Sequence, residues 1–359
     1  MGKIDINSII TLENEFDKFL NNYNKDIPII LYGFGGGITN MPQTFRNYGI
    51  NPVAICDKDE NKQGKIFEGI PVISFGEALK RYDYFNVYIS VSNYYKEIED
   101  FLLQYIEPGR IFSYGHFKDM STGEYRNFLV ENITNFENMM NMFDDDISRQ
   151  TLTNVLKGRL SNDLSYFKEV YFPEQYFSKH IMNLGDNETF IDGGAFTGDT
   201  ILDFLRETNG RYNKIYAFEP DINCFNCISN LPYDNLITFN KGLYKYNTVL
   251  GFNNDVSKGA HILDYSSNEN GMIEVVSIDE KISDTVTFIK MDIEGCELAA
   301  LKGAEKTIKK YKPKLAICVY HKNKDIIDIP NYIMSLGLNY KYYLRHHSHS
   351  LDETVFYAV

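Results

Sequence analysis

Tryptophan is absent from this chain, cysteine occurs five times in 359 residues, and no apolar run approaches the ~18 residues of a membrane-spanning helix. The cysteines, Cys56, Cys224, Cys227, Cys296 and Cys318, fit a reducing compartment. Cys224 and Cys227 have metal-ligand spacing, but no second pair exists, and a helix is expected where they stand, so they read as small buried residues. The opening MGKIDINSII lacks the charged-then-apolar order of a signal peptide, and a cytoplasmic location with no membrane span is expected. Positive charge is short as well: 36 Lys and Arg against 49 Asp and Glu leave a formal charge of −13. A phosphate backbone needs a basic face, so no nucleic-acid partner is expected. No internal repeat or low-complexity tract appears, and the length fits two or three domains.

What is present is strand–turn–helix patterning. FIDGGAFTGDT (190–200) reads as a buried strand, a glycine turn and the start of a helix over roughly 199–209. Glycine takes positive φ without steric cost, and the helix aims its free N–H groups at the turn. The segment does not fit the dinucleotide fingerprint G-x-G-x-x-G, because Phe196 stands where a glycine is required. Its spacing is that of the loop that holds S-adenosylmethionine in methyltransferases. KIYAFEPD (214–221) is a strand ending at Glu219, 27 residues after Asp192, where a carboxylate can accept both hydroxyls of a ribose. The run 286–321 gives a strand stopping at Asp292, a helix after Gly295, and a strand over 314–320 followed by His321. Asp192, Glu219 and Asp292 would then share one edge of a parallel sheet, where ligands of open α/β sheets bind. The aromatic runs 338–344 and 353–359 read as a closing β-hairpin.

Residues from about 140 to 359 resemble the FkbM family of S-adenosylmethionine-dependent methyltransferases, on DGGAFTGDT, FEPD, KMDIEGCELAALKGAE (290–305) and RHHS…ETVFYA. The resemblance implies methyl transfer from S-adenosylmethionine to a small-molecule hydroxyl, often on a sugar. It implies that Asp192, Gly194 and Gly198 hold the methionine end of the cofactor and Glu219 its ribose, with Gly193, Thr197 and Pro220 beside them and Asp292 next to the sulfonium. A base with a pKa near neutrality suits removal of the hydroxyl proton, which points to His321, with Asp292 as its competitor. Tyr176, Arg159, Glu294 and His346 are candidate acceptor contacts. Glu297 reads as favouring the N-terminus of the helix after Gly295. The histidines 346, 347 and 349 read as part of a solvated polar turn. Asp292, Glu294 and His321 could bind a cation, yet methyl transfer requires none, and no metal is assigned.

The front of the chain is a separate unit. Strands at 27–32, 51–57 and 85–92 give a half-Rossmann layout with a glycine turn at Gly33 and Gly35 and an acid, Asp57, 24 residues after Gly33. Ile38 breaks the dinucleotide fingerprint. CDKDENKQGKIFEGIPVIS (56–74) resembles the nucleotide-sugar-binding domain of bacterial sugar acyltransferases, which makes Gly33, Gly35, Gly36 and Asp57 candidate ligand residues. A scaffolding or dimerising role is the other reading. The expected architecture is therefore α/β: an N-terminal Rossmann-like parallel sheet (1–114), a helical connector or lid (115–187), and a class I methyltransferase fold (188–359) whose seven-stranded sheet is closed by an antiparallel hairpin. The expected function is O-methylation of a sugar or nucleotide-linked sugar for surface polysaccharide. Two alternatives come from other classes. One is an NAD-dependent sugar oxidoreductase or epimerase, disfavoured by the broken fingerprint and by Tyr332 and Tyr340, neither of which has a lysine four residues on. The other is a non-catalytic nucleotide-sugar-binding module. Whether the chain forms a homo-oligomer is left open.

Overall fold

The computed structural model describes residues 4–35, 38, 41–91, 95–112, 120–253, 261–263 and 271–359. Its framework is two mainly parallel sheets. The larger has seven strands in the order Tyr342–His346, Thr354–Ala358, Lys314–Cys318, Phe288–Met291, Thr189–Gly193, Lys214–Phe218, Leu236–Phe239. Only Thr354–Ala358 runs against its neighbours, so the expected closing hairpin is present. The central strands are buried on both faces, as parallel strands with helical cover must be. Alternation decides which side chain goes where. Phe190, Ala217 and Phe288 point into one apolar cluster, and Ile191, Phe218 and Ile289 into the other. Phe190 stacks on Phe288 with ring centroids 4.7 Å apart. Asp192 and Lys290, two residues further along, therefore fall on the Phe190 face, directly opposite each other in register.

The front sheet runs Ile66–Phe67, Ile70–Ile73, Pro52–Cys56, Ile29–Tyr32, Asn86–Ile89, Ile111–Phe112. It is parallel throughout except for the Ile66–Ile73 hairpin. Strand Ile70–Ile73, which the sequence reading passed over, takes the third place, and Asn86–Ile89 pairs on the far side of Ile29–Tyr32. A third sheet of four strands, within 242–276, was not expected either.

The connecting segment packs along the edge of the larger sheet. Helix Asp146–Ser161 starts at Asp145, whose carboxylate accepts the Ser148 N–H. This helix lies along the edge strand Tyr342–His346, and Ser148 Oγ accepts the Leu344 N–H at 3.0 Å. Asp144 Oδ2 accepts the Tyr342 N–H, and the Phe172 N–H donates to the His346 carbonyl at 2.8 Å. The backbone groups of the sheet edge are thus paired and covered. One continuous apolar cluster runs from Ile6 through Leu152 and Leu156 to Phe356.

Arg345, buried in that contact, donates to Asp145 Oδ2 at 2.5 Å. Asp145→Ala removes both a helix cap and the partner of a buried cation, and should cost about 3 kcal/mol in urea unfolding. The neighbouring Asp146→Ala, at an exposed pair, should cost less than about 1 kcal/mol.

Candidate active site

The site lies at the carboxyl edge of the seven-stranded sheet, where Thr189–Gly193 and Phe288–Met291 send their chains to opposite sides. Gly194 has φ +72°, and a Cβ built there would stand 1.8 Å from the Asp292 carbonyl oxygen. No other residue fits, because the two strand ends touch at this point. Beneath the turn, Lys290 and Asp192 are almost wholly buried, with Nζ 3.1 Å from Oδ1. The same ammonium donates to the carbonyls of Gly194 at 2.8 Å and Gly193 at 3.3 Å. The ammonium thus has two carbonyl acceptors and a carboxylate counter-charge, while neither Asp192 oxygen has a hydrogen-bond donor among the described residues. Burial raises the Asp192 carboxyl to about 6 against the pull of Lys290. Asp192 therefore acts on the glycine turn through Lys290, not by facing solvent.

Glu219, also buried, closes the turn from the neighbouring strand. Oε2 accepts the Phe196 N–H at 2.8 Å and Oε1 the Asp221 N–H at 2.8 Å. Burial raises its pKa, opposed by those two N–H groups. Each oxygen keeps acceptor capacity. Phe196 and Ile222, on either side of this carboxylate in the turn and the following helix, leave large apolar side chains exposed.

Around Asp292 stands a second group. Tyr176 Oη donates to Oδ2 at 3.1 Å and Tyr320 Oη to Oδ1 at 3.0 Å. His321 Nε2 is 3.3 Å from Asp292 Oδ1 and 3.4 Å from Glu294 Oε2, and its Nδ1 is 3.0 Å from Glu297 Oε1. Burial works to lower the imidazole pKa, but the Glu297, Asp292 and Glu294 charges overcome it and raise it to about 9. Burial likewise opposes ionisation of Asp292, yet His321, Lys290 and the two phenols hold its carboxyl below the usual range. Glu353, in the closing hairpin, accepts from Gln175 Nε2 at 2.6 Å, and its Oε1 lies 3.4 Å from Tyr320 Oη, whose one proton goes to the nearer Asp292. Burial and the Asp292 charge push it up to about 7. Tyr176, Phe196, Glu294 and Glu353 all have positive φ, a strain that side-chain-bearing residues keep only where their surroundings enforce it. For Tyr176 the enforcing chain is visible. Its N–H donates to Tyr357 Oη at 3.0 Å, that hydroxyl faces His347 Nε2 at 2.9 Å, and His347 Nδ1 faces the Phe172 carbonyl at 2.7 Å. The carbonyl fixes the proton on Nδ1, so Tyr357 donates to Nε2.

Some expected residues join this group and some do not. Asp192, Gly193, Gly194, Glu219, Asp292, Tyr176, Glu294 and His321 lie within it, and Thr197 and Gly198 continue the turn, Gly198 buried and Thr197 exposed. Pro220 follows Glu219, its carbonyl bonded by Asn240. His346 is turned away: its ring is buried against Phe167, bonded to Thr354 Oγ1, and burial lowers its pKa to about 3. His347 is half-buried, so neither ring is freely solvated; Phe167 packs on His346 and Phe172 on His347, both from the connecting segment. Arg159 is buried beneath the sheet edge, with Nη2 3.3 Å from the Val319 carbonyl. Glu297 opens its helix as expected, but its side chain folds back to accept the Ile293 N–H at 2.8 Å. Asp292, Glu297 and His321 bring three ligand-type atoms within 4.8 Å of one another, the one such group among the described residues. Cys224 and Cys227 sit on helix Ile222–Ser229 as free thiols, but Cys224 is only half-buried and Cys227 is exposed, so they are not the buried residues expected. In the front sheet, Gly33, Gly35 and Asp57 surround the first turn, while Gly36 lies outside the described residues. Lys290, Tyr320 and Glu353 were missed by the sequence reading. A lysine inside an otherwise apolar strand was the available signal for the first.

A central parallel sheet closed by one reversed strand, with glycine turn, ribose-type acid and strand-end aspartate at its carboxyl edge, is the class I methyltransferase arrangement. Residues 192–342 match the family model of the methyltransferase FkbM domain, so the chain carries a methyltransferase domain of the FkbM family. Residues 25–111 match a second model, C2185-like, N-terminal, whose name carries no ligand. The crystal structure of methyltransferase FkbM from Methylobacillus flagellatus KT superposes with a TM-score of 0.70 at 23% identity, covering 99% of this chain and 96% of that one. At that identity the likeness is one of fold, and it extends through the front sheet. A fibrillarin/Nop5p complex (TM-score 0.32, 16% identity, 49% of this chain and 74% of that one) is too distant to compare further. So is the plantazolicin methyltransferase BpumL in complex with SAH (TM-score 0.20, 9% identity, 53% and 52%). No curated protein matches the chain. No helix among the described residues is long and apolar enough to cross a membrane.

Lys290→Met should leave the Asp192 carboxylate buried without a partner and cost about 3–5 kcal/mol in urea unfolding at pH 8. Asp192 has a raised folded pKa, so lowering the pH protonates it in the folded state and removes the uncompensated charge. The gap between variant and wild type should therefore be smaller at pH 5 than at pH 8. An equal gap would mean that Asp192 does not carry the penalty.

Proposed function

We propose that this edge binds S-adenosylmethionine and transfers its methyl group to a hydroxyl of a small, sugar-type molecule, such as a nucleotide-linked precursor of surface polysaccharide. The observation that carries the reading is Glu219. Its two buried oxygens each hold one backbone N–H and retain a lone pair toward a vicinal diol, while exposed Phe196 and Ile222 offer apolar contact to a flat base. The excess of carboxylates over Lys290 and His321 suits a cationic donor. When bound, that donor supplies an electrophilic methyl group on a sulfonium. The chain's part is to align the acceptor oxygen, take up its proton and exclude water.

The proton acceptor in this reading is Glu353 rather than His321. A group held near 7 can exchange a proton at neutral pH, whereas His321, at about 9 within three carboxylates, stays protonated and orients Asp292. Glu353 faces Gln175 and Tyr320 and feels the charges of Asp292, Asp352 and His321. The hydroxyl proton passes to its carboxylate as the acceptor oxygen gains the methyl.

Glu219→Gln should weaken S-adenosylhomocysteine binding by about 10-fold or more in calorimetry, since hydrogen bonds to a charged acceptor contribute roughly 1.5–3 kcal/mol each. Glu353→Gln should keep that binding and lose ~10²–10⁴-fold in turnover with a sugar acceptor. For wild type, kcat/KM should rise with pH through about 7, as Glu353 loses its proton. A rise centred near 9, abolished in His321→Gln, would return the proton transfer to the histidine.

A further inference from the structure

The front sheet carries a second copy of the hydrogen-bond pattern that surrounds Glu219. In both sheets a glycine just past the first strand donates its N–H to the last carbonyl of the second, Gly33 to Cys56 at 2.7 Å and Gly194 to Phe218 at 3.0 Å. In both, the next residue is an acid whose own N–H donates to the end of the third parallel strand, Asp57 to Ile73 at 3.2 Å and Glu219 to Phe239 at 3.0 Å. One oxygen of each acid accepts a phenylalanine N–H from the glycine turn, Phe34 and Phe196, both at 2.8 Å. The other oxygen accepts the N–H two residues on, Asp59 at 2.9 Å and Asp221 at 2.8 Å. The acid's carbonyl is held by a side-chain amide in each case, Gln63 and Asn240, both at 3.0 Å. Asp57 is as buried as Glu219, at 8% against 7% exposed. Five matched bonds around an acid at the same strand end are more than a shared turn requires. No sequence repeat encodes them, because one turn is a residue shorter than the other.

The differences define the ligand. In the register positions of Asp192 and Lys290 the front sheet has Leu31 and Tyr88. Ser90 stands where Asp292 stands, its Oγ 2.6 Å from the Gly33 carbonyl. Among the described residues no carboxylate thus takes the place of Asp192 or Asp292 at this switch point. Lys62 instead donates to Asp57 Oδ2 at 3.2 Å, the oxygen that also accepts the Phe34 N–H, with its side chain about a third exposed. The rings of Phe34 and Phe67 lie 5.2 Å apart beside the turn. We infer that the front sheet binds a ribonucleotide, with Asp57 accepting from the ribose hydroxyls and Lys62 facing the phosphate. This rests on the reading of Glu219 as the ribose acceptor of the other sheet.

The test is calorimetric titration of the full chain with ADP, GDP, CDP and UDP in turn, with S-adenosylhomocysteine in excess. At least one should bind at one site per chain with a Kd below ~1 mM. Its 2′,3′-dideoxy form should bind about 10-fold more weakly or worse, for loss of bonds to a charged acceptor. Lys62→Gln should weaken the diphosphate more than the corresponding nucleoside. The inference is overturned if none of the four binds, if the dideoxy form binds equally, or if Glu219→Gln abolishes the binding. S-adenosylhomocysteine titrated alone keeps the two readings apart. Its binding without any diphosphate response removes only the front site, and diphosphate binding without it removes only the methyl donor.

Discussion

The buried pair of Lys290 and Asp192 is the constraint on which the site depends. A lysine ammonium in the middle of a parallel sheet is stable only if every proton finds an acceptor and a counter-charge stands nearby. Asp192 supplies the charge, and the carbonyls of Gly193 and Gly194 supply the hydrogen-bond acceptors. The cost of burying two charges is thereby converted into a fixed glycine turn. Because Gly194 touches the Asp292 carbonyl, fixing that turn also fixes the next strand end, and with it the carboxylate that Tyr176, Tyr320 and His321 surround.

Around that anchor the site has two electrostatic halves. Toward Glu219 the carboxylate is held by the N–H groups of Phe196 and Asp221, and the side chains of Phe196 and Ile222 are exposed. Toward Asp292 carboxylates outnumber cations, so one acid is driven toward neutrality while the imidazole among them is driven to stay charged. Proximity to like charge and burial explain both shifts with no further assumption. The strained residues Tyr176, Glu294 and Glu353 belong to this half, where hydrogen-bonded neighbours hold them against their preferred conformations.

Much of this was legible in the sequence, because it is local. Strand, glycine turn and acid follow one another within a few residues, so Asp192, Gly194, Glu219 and Asp292 could be named from spacing, and the closing hairpin from its aromatic runs. What was not legible depends on long-range packing. Glu353 meets Gln175 across 178 residues, and nothing in ETVFYAV marks it as more than a hairpin acid. His346 and His347 looked solvated because their cover, Phe167 and Phe172, comes from a segment far upstream. The three carboxylates that raise the His321 pKa converge only in the fold. The echo between the two sheets was invisible for the same reason, since hydrogen bonds and not residue identities repeat.

The most direct test of the central claim is a crystal structure of the protein with S-adenosylhomocysteine. The account places its ribose hydroxyls on the Glu219 carboxylate and its sulfur beside Asp292, with Lys290 still beneath the glycine turn. A ligand bound elsewhere, or a ribose that makes no contact with Glu219, would contradict it.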